Sequence, residues 1–263
     1  MPANFSLMIE IGLIIGLMVG MTGMGSGSLL TPMLILLGGL QPAVAVGTSL
    51  VFSFLTKAYG SWNFYRRKMV DTEIVRDLSI GSLPGVLAGA FIIRYLGVRK
   101  PELMNVYLLR AIGVVLIVVS VIMIVRLLPL AVRPSAVDRR IHFSPLQRSL
   151  LLVLIGFGTG VSVTVTSIGS GVALIPAMIL FYRHDSGTIV GTNVWIGTIL
   201  SGLAGISHFG LGNVNWPAIA GLLCGSIPAV WLASRLHGRI PRQIPEAIIA
   251  AALMAMGVQI ISI

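Results

Sequence analysis

A short glycine-serine stretch set inside an apolar run occurs twice in this chain, at the same place in two similar halves. Gly25-Ser26-Gly27 is followed by Leu30-Thr31-Pro32, and Gly169-Ser170-Gly171 is followed by Leu174-Ile175-Pro176. The offset from Gly25 to Gly169 is 144 residues, and it also carries Gly47-Thr48 onto Gly191-Thr192 and Val70 onto Val214. Gly81-Ser82 and Pro84 map in the same way onto Gly225-Ser226 and Pro228. The chain is an internal duplication. Glycine and serine in an apolar run are poor choices for a plain membrane helix, because the freed backbone must find partners or line a cavity. Glycine-interrupted segments at matching positions of two halves point to a transporter binding site.

That the runs are membrane segments follows from composition. Of 263 residues, 56% are hydrophobic and 10% charged, with a mean hydropathy of +0.98. A soluble domain carries about 25% charged residues. The formal charge of +10 therefore reads as a topology signal, loop by loop. The basic residues flank apolar runs and do not alternate with aromatics on one face, which argues against nucleic acid as a partner. Cys224 is the only cysteine, so an internal disulfide and a cysteine-cluster metal site are excluded. The first residues, Met1 to Phe5, have no basic region ahead of the apolar run, so that run reads as a membrane segment and not as a cleaved leader.

The pattern predicts an all-α integral membrane protein of two inverted repeats, each of about five hydrophobic segments, with broken or re-entrant half-helices. In the first repeat, residues 1–128, the apolar runs cover 5–23, 28–39, 43–64, 78–96 and 103–128. The second run is too short for the roughly 20 residues of a full span. A linker at 129–147 holds Pro129, Pro134 and Pro145 with Arg133, Arg139 and Arg140. The second repeat, 148–263, has runs at 148–166, 170–182, 188–209, 214–236 and 244–263. An odd unit enters the membrane the other way round when repeated, and the charges follow. Arg66, Arg67, Lys68 and Arg76 stand in the loop at 66–77, whereas its counterpart at 210–221 has neither lysine nor arginine. Arg235, Arg239 and Arg242 mark the loop at 235–242. Positive loops face the cytoplasm, which puts these loops and the linker inside and both termini outside. Arg94, Arg99 and Lys100 then lie outside, against the bias.

The candidate binding residues follow from the repeat. A half-helix that begins just after Gly25, Ser26 and Gly27 has amides with no intrahelical partner, which carry partial positive charge. The same holds after Gly169, Ser170 and Gly171. Two such ends meeting near the midplane form an anion site. Helix packing by small residues, as at Gly12 and Gly16, is the competing account. Thr48 and Ser49, with Thr192 and Asn193, either complete the site or bond back to their own helices. Lys57 lies well inside its run, where a buried ammonium costs about 2.5–3.5 kcal/mol on insertion scales. It is a candidate for drawing in anions. Asn63, Trp195 and His208 are candidates for lining a pathway. No paired carboxylates, His/Cys cluster or Ser-His-Asp pattern stands at membrane depth, so the sequence indicates neither an enzyme nor a metal or other cofactor. An intramembrane enzyme acting on lipid phosphate is the alternative, but it needs a base or nucleophile with an arginine beside the glycine stretch.

Gly25-x-Gly27, Leu30-x-Pro32, Ala45-Val46-Gly47-Thr48-Ser49 and the basic stretch before Val70-Asp71, with their echoes at 169–176, 190–193 and 214–215, resemble the TauE/SafE family of membrane permeases. The resemblance covers nearly the whole chain apart from the linker. It implies export of a small sulfur oxyanion or organosulfonate across the cell (inner) membrane. The residues alone imply a small anion of unspecified kind, with the lipid bilayer as the other partner; a permease for a non-sulfur anion and a homo-oligomer are left open.

Overall fold

The computed structural model describes residues 4–22, 27–127, 145–182, 184–236 and 243–262. Gly25 and Ser26, nearly all of the linker, and Arg239 and Arg242 lie outside the described residues. The described residues form ten helices and no strand. They are α1 (Phe5–Thr22), α2 (Gly27–Leu36), α3 (Pro42–Arg66), α4 (Thr72–Arg99) and α5 (Pro101–Leu127), then α6 (Pro145–Thr166), α7 (Ser170–Phe181), α8 (Ser186–Phe209), α9 (Trp216–Leu236) and α10 (Gln243–Ser262). Seven of them, α3 to α6 and α8 to α10, are long and apolar enough to cross a membrane. The short runs expected after the glycine stretches are short helices: α2 has 10 residues and α7 has 12.

Local chemistry sets the helix ends. Pro42 opens α3, where its missing N–H costs nothing. The Asp71 carboxylate accepts from the amides of Glu73 at 2.8 Å and Ile74 at 3.0 Å, capping α4. Asp185 caps α8 through the amide of Thr188 at 3.1 Å. At the end of α3 the Met69 amide bonds the Phe64 carbonyl at 3.0 Å, with Lys68 in the left-handed region at φ 56. The end of α8 repeats this 144 residues on: the Asn213 amide bonds His208 O at 3.0 Å, and Gly212 has φ 73. Both are left-handed helix terminations that satisfy last-turn carbonyls.

The halves pack by exchanging partners. A Cβ on Gly81 would collide with the Val153 carbonyl oxygen, and a Cβ on its counterpart Gly225 with that of Ile9, the counterpart of Val153. Gly47 meets the Asn213 carbonyl, and Gly191 meets that of Met69. The Asp71 amide donates to Thr192 Oγ1 at 2.9 Å, and the Asn215 amide donates to Thr48 Oγ1 at 3.0 Å. Each contact maps onto the other under the 144-residue offset. Glycines allow this because only a bare backbone lets helices approach so closely.

The contacts also give direction. Gly12 lies against Leu222 and Gly16 against Ser226, so α1 runs parallel to α9; Gly81 against Val153 and Gly89 against Thr164 make α4 and α6 parallel. Gly205 faces Val51, Gly202 faces Phe54 and Gly191 faces Phe64, so α3 and α8 are antiparallel. The α5–α10 pair is antiparallel too, with Gly113 on Ile261 and Gly257 on Ile117. Helix α6 climbs beside α4 from its first turns, and α7 returns: the Tyr182 hydroxyl donates to Asp77 near the start of α4 at 2.8 Å. Helices α6 and α7 thus form a hairpin that enters and leaves at one end. Helices α1 and α2 do the same from the other end, with Phe5 beside Gly221 near the start of α9 and Gly38 beside Met8. Sequence left broken and re-entrant segments open; the short helices are return limbs of hairpins. Leu30, Leu34, Leu50, Phe52, Leu174 and Met178 are buried between these elements, while Leu87, Phe91 and Ile227 stand outward. Large apolar side chains turned outward along the helices are suited to contact with lipid chains.

Candidate functional site

The centre of the molecule is the antiparallel seam of α3 and α8. Phe54 faces Gly202 and Lys57 faces Gly197, so a residue meets its own counterpart only close to Thr56 and Leu200. The pseudo-two-fold therefore passes beside Lys57. The counterpart of Lys57 is Ser201, which donates to Gly197 O in its own helix at 2.7 Å. Of the two matched positions only one carries a charge. A Cβ placed on Gly197 would lie 3.3 Å from Lys57 Nζ and 3.5 Å from Ser170 Oγ. The ammonium and the hydroxyl are therefore within about 7 Å of each other. Lys57 is partly buried, and no carboxylate among the described residues pairs with it.

Ser170 is the first residue of α7 and Gly169 its N-cap, with φ 128 and no side-chain cap hydrogen bond. The preceding turn is tight. Ser167 stands at φ 62, Ser162 Oγ donates to Ile168 O at 2.9 Å, and the Ile168 amide donates to Thr166 Oγ1 at 3.2 Å. A left-handed serine and a positive-φ glycine two residues apart reverse the chain inside the bundle at the start of α7. Ser167 Oγ pairs with Ser49 Oγ at 3.0 Å. Gly27, which opens α2, packs on the Ser167 carbonyl so closely that no Cβ fits. The structure thus brings the start of α2, the turn before α7, Ser49 and Lys57 to one region, with Gly171 in the first turn of α7.

Other residues singled out by sequence are placed differently. The hydroxyls of Thr48 and Thr192 accept the amides that open the facing half's helix, as described above. Asn193 is buried, and its Oδ1 has no hydrogen-bond partner among the described residues. Asn63 accepts from Arg67 Nε at 3.1 Å on the exposed end of α3. Trp195 stacks on Tyr65 with ring centroids 4.9 Å apart, and Tyr65 stacks on Trp62. His208 is fully buried, its Nε2 3.0 Å from Thr164 O, tying α8 to the end of α6. Asn63 and His208 sit toward the ends of the seam, whereas Trp195 stands two residues from Gly197 with its ring against Tyr65. Sequence reasoning missed Ser167, Gly197 and Ser201. The repeat offered one sign: Gly197 aligns with Ser53, so both halves keep a small residue there. Among the described residues no cluster of His, Cys, Asp and Glu is arranged to hold a metal ion.

Comparison with known proteins adds an independent line. A family model described as "Sulfite exporter TauE/SafE" matches residues 8–260. The chain is similar to the "Probable membrane transporter protein YjnA" of Bacillus subtilis (strain 168), 36% identical over 258 residues, which cover 96% of this chain and 98% of that protein. It is also similar to the "Probable membrane transporter protein YunE" of the same organism, 25% identical over 98% of this chain and 97% of that protein. No solved structure matches the chain significantly.

Proposed function

The chain belongs to the TauE/SafE family of membrane transporters, and from that premise we propose that it exports a small anion through a site at the centre of the α3–α8 seam. The observation that carries the reading is the convergence of Lys57 Nζ and Ser170 Oγ on Gly197, at the start of α7. An ammonium, a hydroxyl and unpaired helix-N-terminal amides are all donors, and together they suit an oxyanion. An oxyanion spans the gap between Lys57 and Ser170 with charge-assisted hydrogen bonds of about 2.8 Å. Gly197 leaves the room. The family description speaks of sulfite export, and a sulfur oxyanion or an organosulfonate fits a donor-only site.

The two re-entrant hairpins and the antiparallel α3–α8 pair support an inverted arrangement of residues 1–128 and 148–263 about the 129–147 linker. Arg66, Arg67 and Lys68 mark the end of α3 as cytoplasmic, which orients the start of α1 outward. Export needs no coupling ion on energetic grounds: one negative charge leaving a negative interior gains about 2.3 kcal/mol per 100 mV.

Purified protein in liposomes, offered sulfite, sulfonates, sulfate and carboxylates, tests this reading. Transport should be confined to small oxyanions, respond to membrane potential, and fall at least about tenfold in Lys57→Met and Gly197→Val. Undiminished transport in both variants would place the site elsewhere.

A further inference from the structure

We propose that the end of the molecule opposite the basic 66–71 turn carries a binding site for an anionic phospholipid, with Arg94 holding the headgroup phosphate. The last turns of α4 and the end of α8 enclose a notch of about 400 Å³, lined by Phe91, Arg94, Val98, Ile206, Ser207 and Leu211. It opens outward and not into the bundle: Phe91 is 70% exposed, Val98 71% and Ile206 67%. Arg94 lies five residues before the end of α4, about 8 Å along the helix, at headgroup depth. Neighbouring Arg99 is engaged, its guanidinium 5.7 Å from the Tyr95 ring centroid. Arg94 has no carboxylate or hydrogen-bond partner among the described residues.

Across Ile206 a second cavity of about 540 Å³ continues along the α3–α8 seam toward its middle, lined by Phe54, Leu203, Phe209 and Trp216 among others. A cationic notch beside an apolar groove, with Ile206 lining both, fits one kind of occupant: a phosphate on a glycerol with an acyl chain behind it. Basic pockets between membrane helices bind anionic headgroups by this logic. The site also gives a reason for Arg94, which the positive-inside bias leaves unexplained at this end. The Arg94 notch stands apart from the transport site, since its lining includes neither Lys57 nor Ser170 nor any residue of α3.

The test uses the full protein in nanodiscs containing phosphatidylcholine with graded phosphatidylglycerol, reading retained lipid by native mass spectrometry and the melting temperature in parallel. Wild type should retain phosphatidylglycerol over phosphatidylcholine and melt higher with it. Arg94→Gln should lower phosphatidylglycerol retention at least threefold and leave phosphatidylcholine unchanged, and Arg94→Lys should fall between. Soluble glycerol 1-phosphate and sulfite should produce no Arg94-dependent shift. Equal retention of the two lipids by wild type overturns the proposal, as does unaltered phosphatidylglycerol retention in Arg94→Gln. A shift with glycerol 1-phosphate alone would make the notch a free-anion site and overturn it too. If Arg94→Gln does not fold, the wild-type preference between lipids decides.

Discussion

A lysine without a carboxylate is costly to keep in the middle of a membrane helix. Lys57 gains no ion pair among the described residues, and under the proposed function its place there is for the anion and not for stability. Replacing it should separate the two. Lys57→Met removes a partly buried charge, which at the centre of a membrane helix carries about 2.5–3.5 kcal/mol of insertion cost, so thermal melting should hold steady or rise while anion transport falls. A variant that melts lower and transports normally would make the lysine a packing residue. The opposite case is Asp185, outside the spans. A hydrogen bond from the Thr188 hydroxyl, then one from the Thr188 amide, holds its carboxyl below the usual 3.8. A depressed carboxyl stabilises the fold fully above the unfolded value and loses that contribution as pH falls through the folded value. The thermal stability of Asp185→Asn should therefore drop less than that of wild type on acidification below pH 3.8. Identical low-pH limbs in the two proteins would show that the cap's charge contributes nothing.

At the scale of the element, the two left-handed helix terminations make a controlled comparison. Gly212 and Lys68 occupy the same turn in the two halves, at φ 73 and φ 56. Nothing lies within 4 Å of a Cβ built on Gly212, so its only constraint is the backbone. Gly212→Ala should cost about 1 kcal/mol, and Lys68→Gly should gain a similar amount or somewhat less. Denaturant or thermal unfolding of the pair checks this; a loss in Lys68→Gly would mean the lysine side chain stabilises the turn in some other way. The existence and shortness of α2 and α7 were legible in the sequence, because run length and glycine punctuation are local properties. Their direction was not. A twelve-residue apolar run reads the same whether it continues a helix or returns beside it. The reversal at Ser167 depends on a left-handed serine held by Ser49, 118 residues away.

For the whole molecule, the decisive property is that counterparts α3 and α8 run antiparallel. If both cross the bilayer, the halves enter it from opposite sides. Single cysteines can report this once the exposed Cys224 is replaced by serine. Gly212→Cys should react with an impermeant maleimide on intact cells, and Lys68→Cys only after permeabilisation. Labelling of both from the same side would remove the inverted arrangement.

The sequence by itself determined the duplication, the membrane class, the two short helices and the bias of charge toward one end. All of these follow from composition, run length and a constant offset, which need no third dimension. Only the tertiary structure decided which candidates meet. Thr48 and Thr192 looked like Ser170 in the sequence, yet each is bonded to the opening amide of a helix in the other half. Lys57 gained its meaning from Gly197 and Ser170, more than a hundred residues away. A side chain's neighbours across a seam are set by helix direction and register, and those go with the close backbone approaches that glycines such as Gly47, Gly81, Gly191 and Gly225 permit. Local pattern marks where glycines stand; the packed helices decide what each glycine lets in.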